Sequence, residues 1–284
     1  MARLFLLLSL LGCPLVFFTL PLSPADLCGA VDLGVGTTRF GHAGLTYVVT
    51  TPRECLDGGC GLIVDLHGAT MRVAQQETEL GLARQGTQAR RRGAKTPYVV
   101  VQPQAGGDPP VWTDEDAAGI FAATTCVAAK LKTGATHLGG FSQGAAIAAE
   151  MLCEHPSSFA SFSAIAGGAD ALRSCLTRRR SDAVLPPILY IHGRRDPLVP
   201  FSTASKFLDA VRAATGKSGG AEPAAGEPLR LAGNGLLVQA RIHDAAGGLA
   251  AGHCIPGGQG LLGCAAPFSA GEQVIDFYIA NTPR

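Results

Sequence analysis

The chain has 284 residues, which is enough for one α/β domain with a full hydrophobic core, and no shift in composition marks a second domain. The formal net charge is +1, and only 16% of the residues are charged. These values indicate neither a nucleic-acid partner nor an electrostatic membrane-binding patch.

The N-terminus has the pattern of an export signal. Arg3 supplies the positive charge, residues 4–11 form an apolar run, and Pro14 interrupts that run before it becomes a good membrane-spanning helix. Apolar residues continue beyond Pro14, which favours an ordinary signal peptide over residues 1–25 with cleavage near its end. We therefore expect a secreted protein.

A lipid anchor is the alternative reading of the same segment. Residues 10–13 resemble a bacterial lipoprotein box, which would place a lipid on Cys13. In either case residues 26–284 are expected to form a single domain, without stable insertion into a membrane once the signal has been removed.

Strands and helices alternate along the rest of the chain. The predicted strands are 45–50, 61–66, 98–102, 135–140, 159–165, 187–192 and 236–242. The predicted helices are 73–92, 114–132, 143–150 and 203–214, and a segment at 269–279 closes the chain. Residues 216–227 are rich in glycine and alanine and are expected to form a surface connection. This alternation predicts an α/β fold with a mostly parallel, doubly wound sheet, and no insertion is long enough for a large lid domain.

The sequence Gly-Phe-Ser-Gln-Gly at 140–144 follows a predicted strand and opens a predicted helix. In this context G-x-S-x-G is typical of a nucleophile elbow, a sharp turn that exposes a serine hydroxyl. Ser142 is therefore the candidate nucleophile. The N–H of Gln143 would lie at a helix N-terminus, where developing negative charge is stabilised.

Two later segments supply an acid and a base in the required order. Asp196 comes just after the strand at 187–192, and His253 comes after the last predicted strand. A serine, an acid and a histidine in this order are the catalytic triad of α/β-hydrolases. Asp182 is the nearest upstream rival acid, but it precedes the strand instead of following it.

A second oxyanion donor is expected after the strand at 61–66. His67 and Gly68 end that strand, and the glycine lets the backbone turn its amides toward the site. The N–H of Ala69 is the first candidate donor and that of Gly68 the second. We expect His67 to brace this loop rather than to carry a proton.

Trp112, the only tryptophan, lies in a loop after the strand at 98–102 and so at the same edge of the sheet. An exposed indole there would bind an acyl chain or a sugar. The alternative is that Trp112 covers part of the core.

Eight of the nine cysteines follow the signal segment, and an even number in an exported chain indicates disulfides. Cys55 and Cys60 flank a short turn, and Cys254 and Cys264 would close the loop after His253. The sequence does not pair the other four, which are Cys28, Cys126, Cys153 and Cys175. The cysteines lack the paired C-x-x-C spacing of zinc sites, so no metal is expected.

Together these motifs resemble the α/β-hydrolase esterases that include polyhydroxybutyrate depolymerases and feruloyl esterases. The resemblance rests on segments 66–68, 140–144, 190–193 with Asp196, and 252–254, and it extends from about residue 45 to residue 278. Ala69 stands where the depolymerases often have cysteine. The elbow also resembles that of carboxylesterases and acyl-protein thioesterases.

The resemblance implies a secreted serine esterase that needs no cofactor and whose partner is an ester or polyester substrate. The leading substrate class is a short hydroxyacid polyester. The alternatives are a feruloyl or acetyl-xylan ester on plant polysaccharide, a general short-chain ester, and a hydrolase fold that binds ligands without catalysis. The sequence does not indicate an oligomeric state.

Overall fold

In the computed structural model the chain is described at residues 24–178, 184–217, 223–245 and 251–283. The predicted signal peptide at 1–25, including Cys13, lies almost entirely outside these residues. The described helices include none with the length and apolar character needed to cross a membrane.

Nine strands form one twisted sheet, and two short strands form a separate pair. The strands are β1 (Gly36–His42), β2 (Leu45–Thr51), β3 (Gly61–Leu66), β4 (Tyr98–Gln104), β5 (Thr136–Phe141), β6 (Ser161–Ile165), β7 (Ile188–Gly193), β8 (Pro228–Gly233), β9 (Leu236–His243), β10 (Ile255–Pro256) and β11 (Gly263–Cys264). The large sheet has the order β1-β2-β4-β3-β5-β6-β7-β9-β8. The six strands from β4 to β9 in this order are parallel, and the pairs at both edges are antiparallel. The expected mostly parallel sheet is confirmed.

Helices cover both faces of the sheet, as a doubly wound fold requires. They are α1 (Pro24–Ala30), α2 (Val73–Leu80), α3 (Leu82–Thr87), α4 (Asp116–Lys130), α5 (Gln143–Glu154), α6 (Ala169–Arg178), α7 (Phe201–Ala214) and α8 (Ala270–Ala280). Two apolar clusters result, one on each face. In the described part of the chain no lid domain is present: α6, between β6 and β7, packs on α5 and α7.

The structure differs from the predicted elements in several places, and the helices α1 and α6 and the short strands β10 and β11 were not predicted. The helix expected at 73–92 is broken at Gly81, whose φ of 63° ends α2 and turns the chain into α3. Buried residues lie on both sides of this break, and an isolated glycine is tolerated within a helical pattern, so the sequence does not reveal it. The edge strands β1 and β8 were not predicted either, and β8 begins where the connection at 216–227 ends.

Four disulfides connect the described elements. The two predicted bridges, Cys55–Cys60 and Cys254–Cys264, are present in the structure. The four cysteines that the sequence left unpaired form Cys28–Cys126, between α1 and α4, and Cys153–Cys175, between α5 and α6. These last two bridges join helices on one face of the sheet, so their pairing depends on tertiary packing.

Asp65 is a buried acid inside β3. Its oxygens accept hydrogen bonds from Nε2 of Gln76 (2.9 Å) and Nε2 of Gln102 (3.1 Å). Burial raises the pKa of this carboxyl to about 6, although the two hydrogen bonds lower it.

This shift predicts a pH-dependent stability. An unfolded aspartate titrates near pH 3.9, so between about pH 4 and pH 6 the folded protein keeps a proton that the unfolded chain has lost. The free energy of unfolding should therefore fall as pH rises through this window, and Asp65→Asn should remove that part of the slope. Urea unfolding at several pH values checks this, and parallel curves for the two proteins would contradict it.

Candidate active site

The strand ends that meet at one edge of the sheet carry the residues singled out from the sequence. The carboxyl ends of β3, β5 and β7 lead into His67, Ser142 and the Asp196 loop respectively. Because parallel strands end at the same edge, residues far apart in sequence come together there.

Ser142 lies between β5 and α5 in the strained conformation of a nucleophile elbow. Its φ of 53° and ψ of −122° are unusual for a residue with a side chain. A Cβ added to Gly140 would come within 2.7 Å of the Gly144 backbone, so the turn is as crowded as the G-x-S-x-G pattern requires. The Ser142 N–H donates to the Ile165 carbonyl (2.8 Å), which ties the elbow to β6.

Ser142, His253 and Asp196 form a continuous hydrogen-bond chain. His253 Nδ1 donates to Asp196 Oδ2 at 2.7 Å, and His253 Nε2 accepts from Ser142 Oγ at 2.9 Å. Only 4% of His253 and 6% of Asp196 are exposed. The rival acid Asp182 lies outside the described residues. This geometry is that of a Ser-His-Asp triad at rest.

Asp196 is held as a charged acceptor. Its Oδ1 accepts the N–H groups of Leu198 (2.9 Å) and Val199 (2.8 Å). Burial alone would raise the pKa of this carboxyl, but the hydrogen bonds from His253 and from the Val199 N–H outweigh that effect and lower it. An ionised Asp196 can therefore orient His253 and stabilise it when it becomes protonated.

The two expected oxyanion donors are free to bind a ligand. Within the described residues, the N–H groups of Gln143 and Ala69 donate to no protein acceptor. The same is true of Gly68, the second candidate. The Gln143 N–H opens α5, where the helix dipole adds to its effect on an anion.

His67 braces the oxyanion loop, in agreement with its expected role. Its Nδ1 donates to the Gly68 carbonyl (2.7 Å), and its Nε2 accepts from the Ala105 N–H (3.1 Å). Burial lowers the pKa of His67, so the ring is neutral with the proton on Nδ1.

Trp112 is not the exposed plate proposed from the sequence. It is only 3% exposed, and its Nε1 donates to the His67 carbonyl at 2.7 Å. The Trp112 backbone also exchanges two hydrogen bonds with the Gln143 side chain, at 3.1 and 3.0 Å. Trp112 therefore connects the two loops that carry the candidate oxyanion donors, with its indole on one and its backbone on the other. Its burial matches the alternative that the sequence left open, in which Trp112 covers part of the core.

His192, for which the sequence predicts no role, supports the acid loop from the end of β7. Tyr190 Oη donates to its Nδ1 (2.9 Å), and its Nε2 donates to the Val199 carbonyl (2.9 Å). Burial lowers the pKa of His192, which keeps the ring neutral. In the sequence, the only sign of a role is that His192 and Gly193 stand together at a strand end. That pattern does not show whether the histidine supports a loop or transfers a proton.

Besides the hydrogen bond from His253 to Asp196, the histidine loop and the acid loop touch backbone to backbone at Gly252. A Cβ on Gly252 would lie 2.6 Å from the Asp196 nitrogen, so only glycine allows this approach.

Among the described residues, His243, Cys254 and Cys264 are the one group with metal-ligand chemistry. The two sulfurs are bonded to each other, which leaves one imidazole and no zinc site.

Comparisons with known proteins establish the fold. Residues 122–221 match the family model described as phospholipase/carboxylesterase. No curated protein sequence matches the chain significantly. An acetyl xylan esterase from Aspergillus awamori has a TM-score of 0.57 and 14% identity, over 73% of this chain and 92% of that protein. An S-formylglutathione hydrolase from Agrobacterium tumefaciens has a TM-score of 0.52 and 15% identity, over 89% and 98%.

The same fold also occurs in oligopeptidase B from Leishmania major, with a TM-score of 0.54 and 12% identity over 88% of this chain and 37% of that one. At such identities these structures show a shared α/β-hydrolase fold and do not select a substrate. The fold expected from the sequence is confirmed, and the family model agrees with an esterase.

The disulfide beside His253 should matter for reactivity as well as stability. Cys254→Ser/Cys264→Ser removes a bridge between cysteines 10 residues apart, and should lower the free energy of unfolding by about 2–3 kcal/mol. The rate at which a fluorophosphonate labels Ser142 should fall too, because the loop no longer holds His253 in place.

Cys55→Ser/Cys60→Ser is the matched control, since this bridge directly precedes β3 and so lies at the amino-terminal ends of the parallel strands, opposite to the ends that carry the candidate triad. It should lose stability while its labelling rate stays at the wild-type value. Equal labelling rates in all three proteins would contradict a role of the Cys254–Cys264 bridge in holding His253.

Proposed function

We propose that this chain, an α/β-hydrolase of the carboxylesterase type, is a secreted serine esterase that acts on short hydroxyacid polyesters or their oligomers, as polyhydroxybutyrate depolymerases do. The observation that carries the proposal is the hydrogen-bond chain from Asp196 through His253 to Ser142. It joins a nucleophile, a base and an orienting carboxylate.

In the acylation step His253 Nε2 takes the proton from Ser142 Oγ as that oxygen attacks the ester carbonyl carbon. The carbonyl oxygen becomes an anion, which the N–H groups of Gln143 and Ala69 receive. The C–O bond of the ester then breaks, His253 donates its proton to the leaving oxygen, and the alcohol departs. The acyl group remains on Ser142.

In the second step water attacks the acyl carbon and gives a proton to His253. The bond to Ser142 Oγ breaks, the proton returns to that oxygen, and the carboxylic acid is released. This chemistry requires no metal or organic cofactor. Asp196 stays ionised throughout and stabilises the protonated imidazole, for which its low pKa is suited.

Exposed apolar side chains in loops of the candidate site support an apolar polymer substrate. Val111 (42% exposed) precedes Trp112, Leu198 (65%) follows Asp196, and Leu261 (70%) lies in the loop after His253. Leu198 and Leu261 belong to the loops that carry Asp196 and His253, and Val111 belongs to the loop whose Trp112 contacts His67 and Gln143. Exposed apolar side chains suit contact with a solid polyester better than contact with a hydrated polysaccharide.

Secretion is supported by the disulfides. Four bridges occur in the described residues, and disulfides persist mainly in oxidising compartments. The signal-like segment at residues 1–25 points in the same direction. Lipid attachment at Cys13 remains the alternative form of export.

Replacing the nucleophile tests the chemistry. Ser142→Ala should lower kcat/KM for a p-nitrophenyl ester by on the order of 10³-fold or more, because no other group can form the acyl-enzyme. Circular dichroism should be unchanged, and the fluorophosphonate label should disappear. A variant with near-wild-type turnover would refute the proposal, and a wild-type protein that neither labels nor hydrolyses any ester would indicate a binding module.

A substrate test uses the exposed leucines. Leu198→Ser/Leu261→Ser should slow erosion of a polyhydroxybutyrate film far more than hydrolysis of p-nitrophenyl butyrate, because adsorption depends on apolar contact. Leu56→Ser is the matched control, since Leu56 is 40% exposed and precedes β3, at the amino-terminal ends of the parallel strands.

Methyl ferulate and acetylated xylan complete the panel. Activity confined to either of these would favour the plant-polysaccharide alternative. Activity on soluble short-chain esters alone would indicate a general carboxylesterase.

A further inference from the structure

A buried carboxylate on α2 binds the loop that carries His253. Glu79 is 7% exposed. Its Oε1 accepts the Leu262 N–H at 2.8 Å, and its Oε2 accepts the Gly260 N–H at 3.1 Å. Both oxygens thus hold backbone groups that are more than 180 residues away in sequence, and these contacts lie outside the hydrogen-bond chain of the triad.

The segment held by Glu79 leads directly back to His253. The Leu262 carbonyl accepts the Ile255 N–H at 2.8 Å, and β10 pairs with β11. Ile255 is two residues after His253, and the Cys254–Cys264 bridge closes the same loop. Glu79 therefore anchors the far side of a small closed loop whose near side presents the imidazole.

The helix α2 also holds the oxyanion side of the site. Gln76, one turn before Glu79 and on the same face of the helix, donates to Asp65 Oδ1 (2.9 Å) and to the Leu66 carbonyl (3.3 Å). Leu66 is followed directly by the loop with Ala69. One helix face thus contacts both the strand end that precedes the oxyanion loop and the loop that presents the base.

We propose that Glu79 is a positioning residue for ester hydrolysis: by binding the Gly260 and Leu262 amides it keeps His253 within reach of both Asp196 and Ser142. The inference rests on the proposed function. The hydrogen bonds of the Glu79 carboxylate go to the Gly260 and Leu262 amides and not to Ser142, Asp196 or His253, so its effect passes through the His253 loop. A misplacement of about 1 Å in a catalytic group can lower turnover on the order of 100-fold.

The same helix provides a matched control. Glu77 also accepts two backbone N–H groups, from Ala83 (2.9 Å) and Arg84 (3.0 Å), but these belong to α3 and not to the histidine loop. Glu77→Gln and Glu79→Gln make the same chemical change. In each an amide N–H₂ replaces one acceptor oxygen and faces a backbone donor, which should lower stability in both variants.

The experiment compares wild type, Glu77→Gln and Glu79→Gln at a temperature at which circular dichroism shows all three to be folded. The kcat and KM for p-nitrophenyl butyrate are measured, together with the ¹H NMR resonance of the His253 Nδ1 proton, which the bond to Asp196 shifts downfield. Glu79→Gln should lose kcat by about 10- to 100-fold with little change in KM, and its Nδ1 resonance should broaden. Glu77→Gln should keep both at wild-type values.

Wild-type kcat and an unchanged resonance in Glu79→Gln would overturn the inference, as would an equal loss of kcat in both variants. If Glu79→Gln does not fold, Glu79→Asp replaces it. This side chain is one methylene shorter and should not reach both amides, so the same loss of kcat and the same broadening of the resonance are expected. Ser142→Ala separates this result from the proposed function. An active Ser142→Ala refutes that function, whereas an inactive Ser142→Ala with full kcat in Glu79→Gln refutes only the role of Glu79.

Discussion

The hydrogen bonds of one imidazole constrain much of this structure. His253 must donate to Asp196 and accept from Ser142 at once, although the described residues of its loop contain no regular structure beyond the two-residue strands β10 and β11. Such a loop has a large conformational entropy to lose when it is ordered. Three contacts limit the conformations of this loop. They are the disulfide Cys254–Cys264 within it, the backbone contact of Gly252 with the acid loop, and the hydrogen bonds of its amides to Glu79.

The histidines around the site fall into two groups according to the partners of their ring nitrogens. His67 and His192 each donate to a backbone carbonyl, and burial lowers the pKa of both, so they act as neutral braces. His253 instead lies between a carboxylate and a hydroxyl. Proton transfer requires a partner that can give up a proton and a charge that stabilises the product, and this arrangement supplies both.

Several features followed from local sequence alone. The elbow could be recognised because its five residues carry a local signal: a Cβ at Gly140 would meet the Gly144 backbone. Gly144 is required for a tertiary reason, since a Cβ there would meet the carbonyls of Leu66 and His67. The two short disulfides, Cys55–Cys60 and Cys254–Cys264, could be paired because their cysteines are close in sequence. By contrast, the sequence could not pair Cys28 with Cys126, since their proximity depends on how α1 packs on α4.

The sequence by itself determined the alternation of strands and helices, the parallel sheet and the order of the serine, acid and histidine, because periodicity, glycine and proline act over short distances. Only the tertiary structure decided that Trp112 is buried beneath the oxyanion loop, that His192 supports Asp196 and that Glu79 reaches the histidine loop. These roles depend on hydrogen bonds between segments that are distant along the chain. A buried polar side chain takes whichever partner the packed fold brings near it, and no local pattern records that partner.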